Sequence, residues 1–203
     1  MKKRDLVLLG SVIALLLGFN IYMMYKIRSV KRDCQILLYS TSESVNEHGA
    51  LYTSLQENYV NSGLSLENVE ARDSLKQPFD LRTLFADGRG KVLVVRFSDN
   101  YCASCVQNSI ETILKNRDNA DTEKVVFIGN SRRTVVFSKQ IDQYGIRDYE
   151  VLNIADLGVP AEGMSFPYYF VMDSTLSIED LYVPNKATSD MDSTFVSLIM
   201  NKL

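Results

Sequence analysis

The chain of 203 residues has few of the side chains that many functional sites require: three cysteines, one histidine and no tryptophan. A scaffold held together by disulfides needs more than three cysteines. The single histidine, His48, lies far in sequence from any candidate nucleophile, which argues against a Ser-His-Asp triad. A structural zinc site needs four ligands, and the chain has no second pair of closely spaced cysteines, so we expect neither a metal nor another cofactor.

The sequence also lacks an excess of positive charge. Its formal net charge is −3 and its isoelectric point is near 5.3. Because general nucleic-acid binding requires a basic face, we expect no nucleic-acid partner. The apolar fraction of 46% is enough for a packed core, and the length suits one domain with appendages.

A long uncharged run lies near the amino terminus. It reads LVLLGSVIALLLGFNIYMMY from Leu6 to Tyr25, with Asn20 as its one strongly polar side chain. At about 1.5 Å per residue, a helix of this length spans the hydrocarbon core of roughly 30 Å. The run exceeds the roughly 7–15 apolar residues of a cleavable signal, so residues 1–25 are predicted to be an uncleaved membrane anchor. Lysine and arginine flank the run on both sides, so the positive-inside rule gives no orientation.

A helical stalk is predicted over residues 26–77. Within it Ile27, Val30, Cys34 and Leu37 recur at helical spacing. Such a stripe could form a dimer seam or pack on the chain's own domain. Cys34 is predicted not to be catalytic, although it could cross-link two copies of the chain.

The remaining residues, 78–203, have the pattern of an α/β domain. Apolar runs that suit buried strands are followed by stretches of helical periodicity, and the last two strands form a hairpin. Helical crossovers require the first two strands to be parallel. The predicted fold is therefore a central mixed sheet flanked by helices. The predicted strands cover residues 91–98, 124–129, 168–173 and 176–183. Gly145 is predicted to end the second helix, and Ser189 and Asp190 are predicted to open a final helix with Met191, Phe195 and Leu198 on one side.

Two cysteines stand where the first predicted strand ends and the first helix begins. They are Cys102 and Cys105, separated by Ala103 and Ser104. A helix amino terminus stabilises a thiolate, which lowers a cysteine pKa from about 8.5 toward ~3.5–7.5. Cys102, at the exposed tip, would attack a partner disulfide. Cys105, one turn inside, would resolve the mixed disulfide.

Three segments carry a resemblance to a known family. They are GKVLVVRF from Gly90, YCASC from Tyr101 and SFPYYFVMD from Ser165. They resemble the thioredoxin-like superfamily, and most of all its membrane-anchored bacterial thiol-disulfide oxidoreductases, which include the cytochrome c maturation proteins. The resemblance implies a thioredoxin-like fold with a catalytic dithiol. It also implies that Tyr101, Phe166 and Pro167 contact the substrate, and that Pro167 follows a cis peptide bond and faces the sulfurs.

The resemblance further implies a cellular setting. Anchored members of the family usually face the extracytoplasmic, periplasmic side. The expected partners are exported proteins with disulfides or thiols, and a membrane electron donor could complete the cycle.

One departure from the family concerns proton transfer. Six residues before the first cysteine, where thioredoxins have a buried acid, this chain has Arg96. Arg96 could point toward the sulfurs and lower a thiolate pKa, or point away and pack at the sheet edge. Glu70 and Asp99 could take the place of the missing acid.

Three other functions stay open at this point. A peroxidase of the peroxiredoxin type wants a threonine three residues before the reactive cysteine, where this chain has Asp99. A membrane-tethered binding module without redox catalysis would leave the dithiol incidental. A copper-delivery protein of the related type would use a wider cysteine spacing together with a histidine.

Overall fold

A computed structural model describes residues 3–116, 122–131, 133–185 and 188–203, without the side chains of residues 3–17, 33, 36–44 and 122. The chain divides into two compact units, Met1–Asn46 and Glu47–Leu203. In the described part of the chain, no helix combines the length and the apolar character needed to cross a membrane. The predicted anchor includes residues 1–2 and the side chains of residues 3–17, which lie outside the description.

The first unit is helical. Helix α1 begins at Lys3 and ends at Asn61, within the second unit. Several large apolar side chains of its first part are exposed, and they include Phe19, Ile21, Tyr22, Tyr25, Ile27 and Val30. Cys34 is an exposed free thiol. The predicted stripe is therefore exposed as far as it is described, and what covers it stays a prediction.

The second unit is built on a mixed sheet. Its described strands are β1 (Ala71–Arg72), β2 (Pro78–Phe79), β3 (Lys91–Arg96), β4 (Val125–Gly129), β5 (Glu150–Asn153), β6 (Tyr168–Asp173) and β7 (Ile178–Tyr182). Its helices are α2 (Ala103–Lys115), α3 (Thr134–Tyr144) and α4 (Ser189–Met200). The strand order is β2-β1-β5-β4-β3-β6-β7. Strands β3, β4 and β5 are parallel, whereas β6 runs antiparallel to β3 and β7 antiparallel to β6.

The predicted mixed α/β fold is confirmed, with additions. The parallel β3–β4 pair, the β6–β7 hairpin and the final helix lie where the sequence predicts them. Strand β5 and the short strands β1 and β2 are not among the predicted elements. Residues 47–77, predicted as the end of the stalk, belong to the same compact unit as the sheet.

Helix α4 buries a different face from the one that the apolar pattern predicts. Met191 and Leu198 are exposed, whereas Val196 and Asp192 are fully buried. The Tyr182 hydroxyl donates a hydrogen bond of 2.8 Å to Asp192 Oδ1. Burial raises the pKa of Asp192 despite this bond. A buried acid with a specific donor thus determines the orientation of the helix, and a hydrophobicity pattern cannot detect it.

Strand β3 lies at the centre of the unit, and both of its faces are covered. Val92 and Val94 point into one apolar cluster, formed with the segments before the sheet and around residues 157–161. Leu93 and Val95 point into a second cluster, which contains the buried residues of α2, α3 and α4. Burial on both faces explains the nearly continuous apolar run of this strand.

The end of α1 covers the edge strand β7. The side-chain oxygens of Ser54 and Asn58 accept hydrogen bonds of 3.0 and 2.9 Å from the amides of Val183 and Leu181. Asn61 Oδ1 accepts one of 3.1 Å from the amide of Ala161. The three side chains stand at i, i+4 and i+7 and therefore share one helix face. Two members of this polar stripe, Ser54 and Asn58, pair backbone donors at the sheet edge that would otherwise need water or another chain, and Asn61 pairs one in the segment before β6.

Gly129, in β4, provides a test of the packing around the central strands. A Cβ at this position would lie 2.8 Å from Phe97 Cζ and closer still to Phe137 Cε2. We expect Gly129→Ala to lower the free energy of unfolding by about 1–3 kcal/mol, because buried rings must shift. The control is Gly90→Ala, where a Cβ meets nothing within 4 Å. It should change stability by less than about 0.5 kcal/mol in chemical denaturation, and equal losses from both variants would contradict this packing.

Candidate active site

The dithiol lies at the amino terminus of α2. Cys102 is the N-cap residue, and its carbonyl accepts hydrogen bonds of 2.9 and 3.0 Å from the amides of Cys105 and Val106. This first turn places the Cα atoms of Cys102 and Cys105 5.2 Å apart, and the two sulfurs form a disulfide. Cys102 is exposed and Cys105 is half-buried. The outer sulfur is thus the more accessible one to a partner.

The loop before β6 meets the dithiol. The Cys102 amide donates to the carbonyl of Ser165 at 3.4 Å. Phe166 is 49% exposed, and Pro167 is buried at the start of the strand. The structure therefore brings Ser165 and Phe166 to the dithiol, and Pro167 directly follows them in the chain. The predicted cis bond before Pro167 is wrong, because no described peptide bond is cis. The trans isomer has the lower intrinsic energy of an X–Pro bond, by about 0.5–1 kcal/mol.

A cleft of about 350 Å³ opens beside the inner cysteine. Cys105 and Asn108 of α2 line one side of it, and Phe166 lines another. Residues of α1 and the segment after β7 complete the wall. The cleft is mostly apolar, so the dithiol borders a surface suited to a nonpolar group.

The Arg96 side chain adopts neither of the two predicted orientations. Its side chain is fully buried, on the face of β3 that carries Val92 and Val94. Its Nε and Nη2 each donate a hydrogen bond of 2.7 Å to the carboxylate of Glu162, and its Nη1 donates one of 2.9 Å to the carbonyl of Ile154. This bidentate geometry is the strongest that an arginine forms with a carboxylate. These hydrogen bonds hold the guanidinium against the segments that follow β5.

Two tyrosines border this ion pair. The Tyr168 hydroxyl donates 2.7 Å to Glu162 Oε1, and burial together with the charge of Glu162 raises the pKa of Tyr168. The hydroxyl of Tyr101 is buried and has no hydrogen-bond partner within the described residues. Burial, and then the charge of Glu162, also raise the pKa of Tyr101. Both phenols are therefore neutral at physiological pH.

The charge state of the pair follows from its contacts. Burial alone would lower the pKa of Arg96, but the hydrogen bonds and charge of Glu162 more than offset this, and the pKa lies above its ordinary value. A charged guanidinium that lacked its partner would be left uncompensated in a nonpolar interior.

Glu162 is the site residue that the sequence analysis misses. The two acids predicted to replace the missing one lie elsewhere: Asp99 accepts a hydrogen bond of 2.6 Å from Gln140, and Glu70 lines a separate pocket with Arg72. The sequence nevertheless contains a signal that points to Glu162. An arginine inside a strand buried on both faces requires a buried acid, and Glu162 lies shortly before the loop that reaches the dithiol.

Metal binding has no support in the part of the chain that can be described. There, no group of three or more His, Cys, Asp or Glu side chains could hold a metal ion. The sulfurs of Cys102 and Cys105 are joined to each other in a disulfide.

No protein-family model and no curated protein sequence matches this chain. Among solved structures, it is similar to the thioredoxin domain of a thiol-disulfide oxidoreductase from Bacteroides vulgatus, with 15% identity, a TM-score of 0.49, and coverage of 66% of this chain and 97% of that chain. A secreted disulfide oxidoreductase from Mycobacterium tuberculosis has 15% identity, a TM-score of 0.43, and coverage of 66% and 96%. A peroxidoxin from the same organism has 16% identity, a TM-score of 0.46, and coverage of 69% and 98%. These similarities concern the fold alone.

The buried ion pair gives a stability prediction. Glu162→Gln keeps a hydrogen-bond acceptor but removes the charge that compensates Arg96. We expect the free energy of unfolding to fall by about 3 kcal/mol, measured by chemical denaturation. The same substitution at Glu67 is the control, because its pair with Arg82 is 2.9 Å long but more than half exposed on both sides. Glu67→Gln should cost about 0–1 kcal/mol, and a comparable loss at both sites would contradict the stabilising role of the buried pair.

Proposed function

We propose that this protein is a thiol-disulfide oxidoreductase that works through Cys102 and Cys105. The observation that carries the proposal is the placement of the pair at the start of α2, with the outer cysteine exposed and the inner one half-buried. The partial positive charge of a helix amino terminus favours a thiolate at this position. Exchange requires one sulfur that a partner can reach and a second that can reach the first, and this arrangement supports both requirements.

In the reducing direction, the Cys102 thiolate attacks one sulfur of a substrate disulfide. A Cys102–substrate bond forms, and the other substrate sulfur leaves as a thiolate. The Cys105 thiolate then attacks Cys102 Sγ, which restores the intramolecular disulfide and releases the second substrate thiol. Two electrons pass to the substrate, and two protons from solvent complete its two thiols. In the oxidising direction the same steps run backwards.

A complete reducing cycle needs a donor that returns two electrons to the protein disulfide. A dithiol protein of the membrane would be such a donor. Its attack on the exposed Cys102 would reverse the steps above. We propose that exported proteins are the substrates and that such a membrane protein is the electron donor.

In this proposal Phe166 and the accessible part of Tyr101 contact the substrate, and Pro167, the third predicted residue, supports the position of Phe166. The exposed ring of Phe166 lies beside the cleft. The backbone carbonyl of Ser165 accepts a hydrogen bond from the Cys102 amide. Pro167 is buried and holds the loop at the start of β6. The Tyr101 ring is partly buried next to Cys102, and it forms the border between the dithiol and the buried ion pair.

We also propose that the domain is tethered to a membrane and faces the extracytoplasmic side, as the cytochrome c maturation type does. The support is the uncharged run from Leu6 to Tyr25 and the exposed apolar side chains on the helix after Gly18. Such side chains are stable in contact with lipid or protein and costly in water.

The two cysteines should respond differently to substitution. Cys105→Ser should accumulate a mixed disulfide between Cys102 and its natural partner, because the resolving step is blocked. Cys102→Ser should accumulate none. Non-reducing gels and mass spectrometry of the trapped band would measure this, with Cys34→Ser as a control that keeps full exchange activity. If both variants keep wild-type exchange activity, the dithiol is not the catalyst and a binding module becomes the better proposal.

The location can be tested by thiol labelling. A variant with Cys34→Ser and Cys105→Ser leaves Cys102 as the one thiol of the chain. After mild reduction, which frees Cys102 from any mixed disulfide, a membrane-impermeant reagent should label it in intact cells whose outer barrier has been opened. The same variant with Cys102→Ser added should show no label. Labelling that requires cell lysis would place the domain in the cytoplasm instead.

A further inference from the structure

The cleft beside Cys105 has one wall that comes from outside the sheet and its helices. This wall is the last part of α1, where Gly49, Ala50 and Thr53 face the cleft. The wall is held in place by the polar stripe at the edge of β7, since Ser54 stands next to Thr53 and accepts the amide hydrogen of Val183. The last part of α1, which belongs to the second unit, is thus part of the surroundings of the dithiol.

The shape and chemistry of the cleft limit what could enter it. Two of its three α1 side chains are hydrogen or methyl, and a Cβ added at Gly49 would meet nothing within 4 Å. The volume of about 350 Å³ is large enough for one bulky side chain. Because the lining is mostly apolar, that side chain must be apolar to gain from burial.

One polar group in the cleft points to a polypeptide. The Asn108 side chain lines it and makes no hydrogen bond with any other described residue. A carboxamide offers both a donor and an acceptor, as a peptide backbone does. A peptide backbone can pair with the donor and the acceptor of the carboxamide at once, through two of its groups, which the single hydroxyl beside each sulfur of a small hydroxyalkyl disulfide cannot do.

Resting on the proposed function, we infer that the cleft between α1 and α2 selects polypeptide substrates that carry a bulky apolar side chain next to the reacting cysteine. The occupant is an extended segment of a partner protein. Its cysteine bonds to Cys102, its neighbouring apolar side chain enters the cleft, and its backbone pairs with Asn108. Gly49 determines the specificity because its missing side chain leaves the space open.

A single-turnover reaction with the full chain in detergent tests the inference without an added reductant. The reduced protein reacts with a symmetric disulfide of a short peptide and yields protein disulfide and two peptide thiols. One peptide has leucine on both sides of its cysteine, and the other has alanine. Hydroxyethyl disulfide serves as the small substrate, and rates are followed by acid quenching and mass spectrometry.

The leucine peptide should react about tenfold faster than the alanine peptide, because the apolar contact is present in the transition state. Gly49→Leu fills the space and should remove the tenfold preference, so that the leucine and alanine peptides react at equal rates. A leucine also suits a helix better than glycine does, so folding is retained. Gln56→Leu, which adds the same side chain on the same helix outside the cleft, should keep the tenfold preference.

Asn108→Ala supplies a second readout. It should slow both peptides about fivefold more than it slows hydroxyethyl disulfide, as the loss of one hydrogen bond to the peptide backbone would. Equal rates for the two peptides with the unmodified protein would overturn the inference while leaving the proposed function intact. A Gly49→Leu variant that keeps the tenfold preference would also overturn it, because the space at Gly49 would then not be where the leucine side chain binds. No reaction with any of the three disulfides would overturn the proposed function itself.

Discussion

A full positive charge at the end of the central strand is the constraint on which the rest of the domain depends. Arg96 has no access to water, so the fold must supply a carboxylate with matched geometry, and Glu162 supplies it. A bidentate pair tolerates little displacement, and the loop that carries Glu162 is therefore held against β3. That loop continues into Ser165 and Phe166, which border the dithiol. A charge on one face of the sheet thus helps to determine the position of the loop that a substrate must meet.

The central part of this architecture could be predicted from local patterns. Residues 91–96 form one of the most apolar stretches of the domain, and such a run is buried on both faces whatever surrounds it. The strand-to-helix junction at Cys102 follows from the change of periodicity alone. Gly145, predicted to end α3, does so with a φ of 68°, where glycine is favoured because it has no Cβ.

Other parts depend on long-range partners that local patterns do not contain. The short strand β5 has only Val151 and Leu152 as buried apolar residues, and its place is determined by pairing with β4. The partly buried Glu162 and the fully buried Asp192 are acids that depend on donors from other elements, Arg96 and Tyr182. Site residues next to the cysteines in sequence could therefore be predicted. The ion pair between Arg96 and Glu162 and the α1 wall of the cleft could not, because they depend on contacts between separate parts of the chain.

The polar stripe of α1 has a consequence for how the domain can be isolated. A fragment that starts at Pro78, where the strand pattern of the sequence begins, would lose Ser54, Asn58 and the fully buried Leu66 together. The amides of β7 would then be open to pairing with a strand of another molecule, which is a common route to aggregation. A fragment that folds and does not aggregate must therefore begin before the helical turn that holds Gly49. The stretch that looks like a spacer in the sequence is a structural part of the domain.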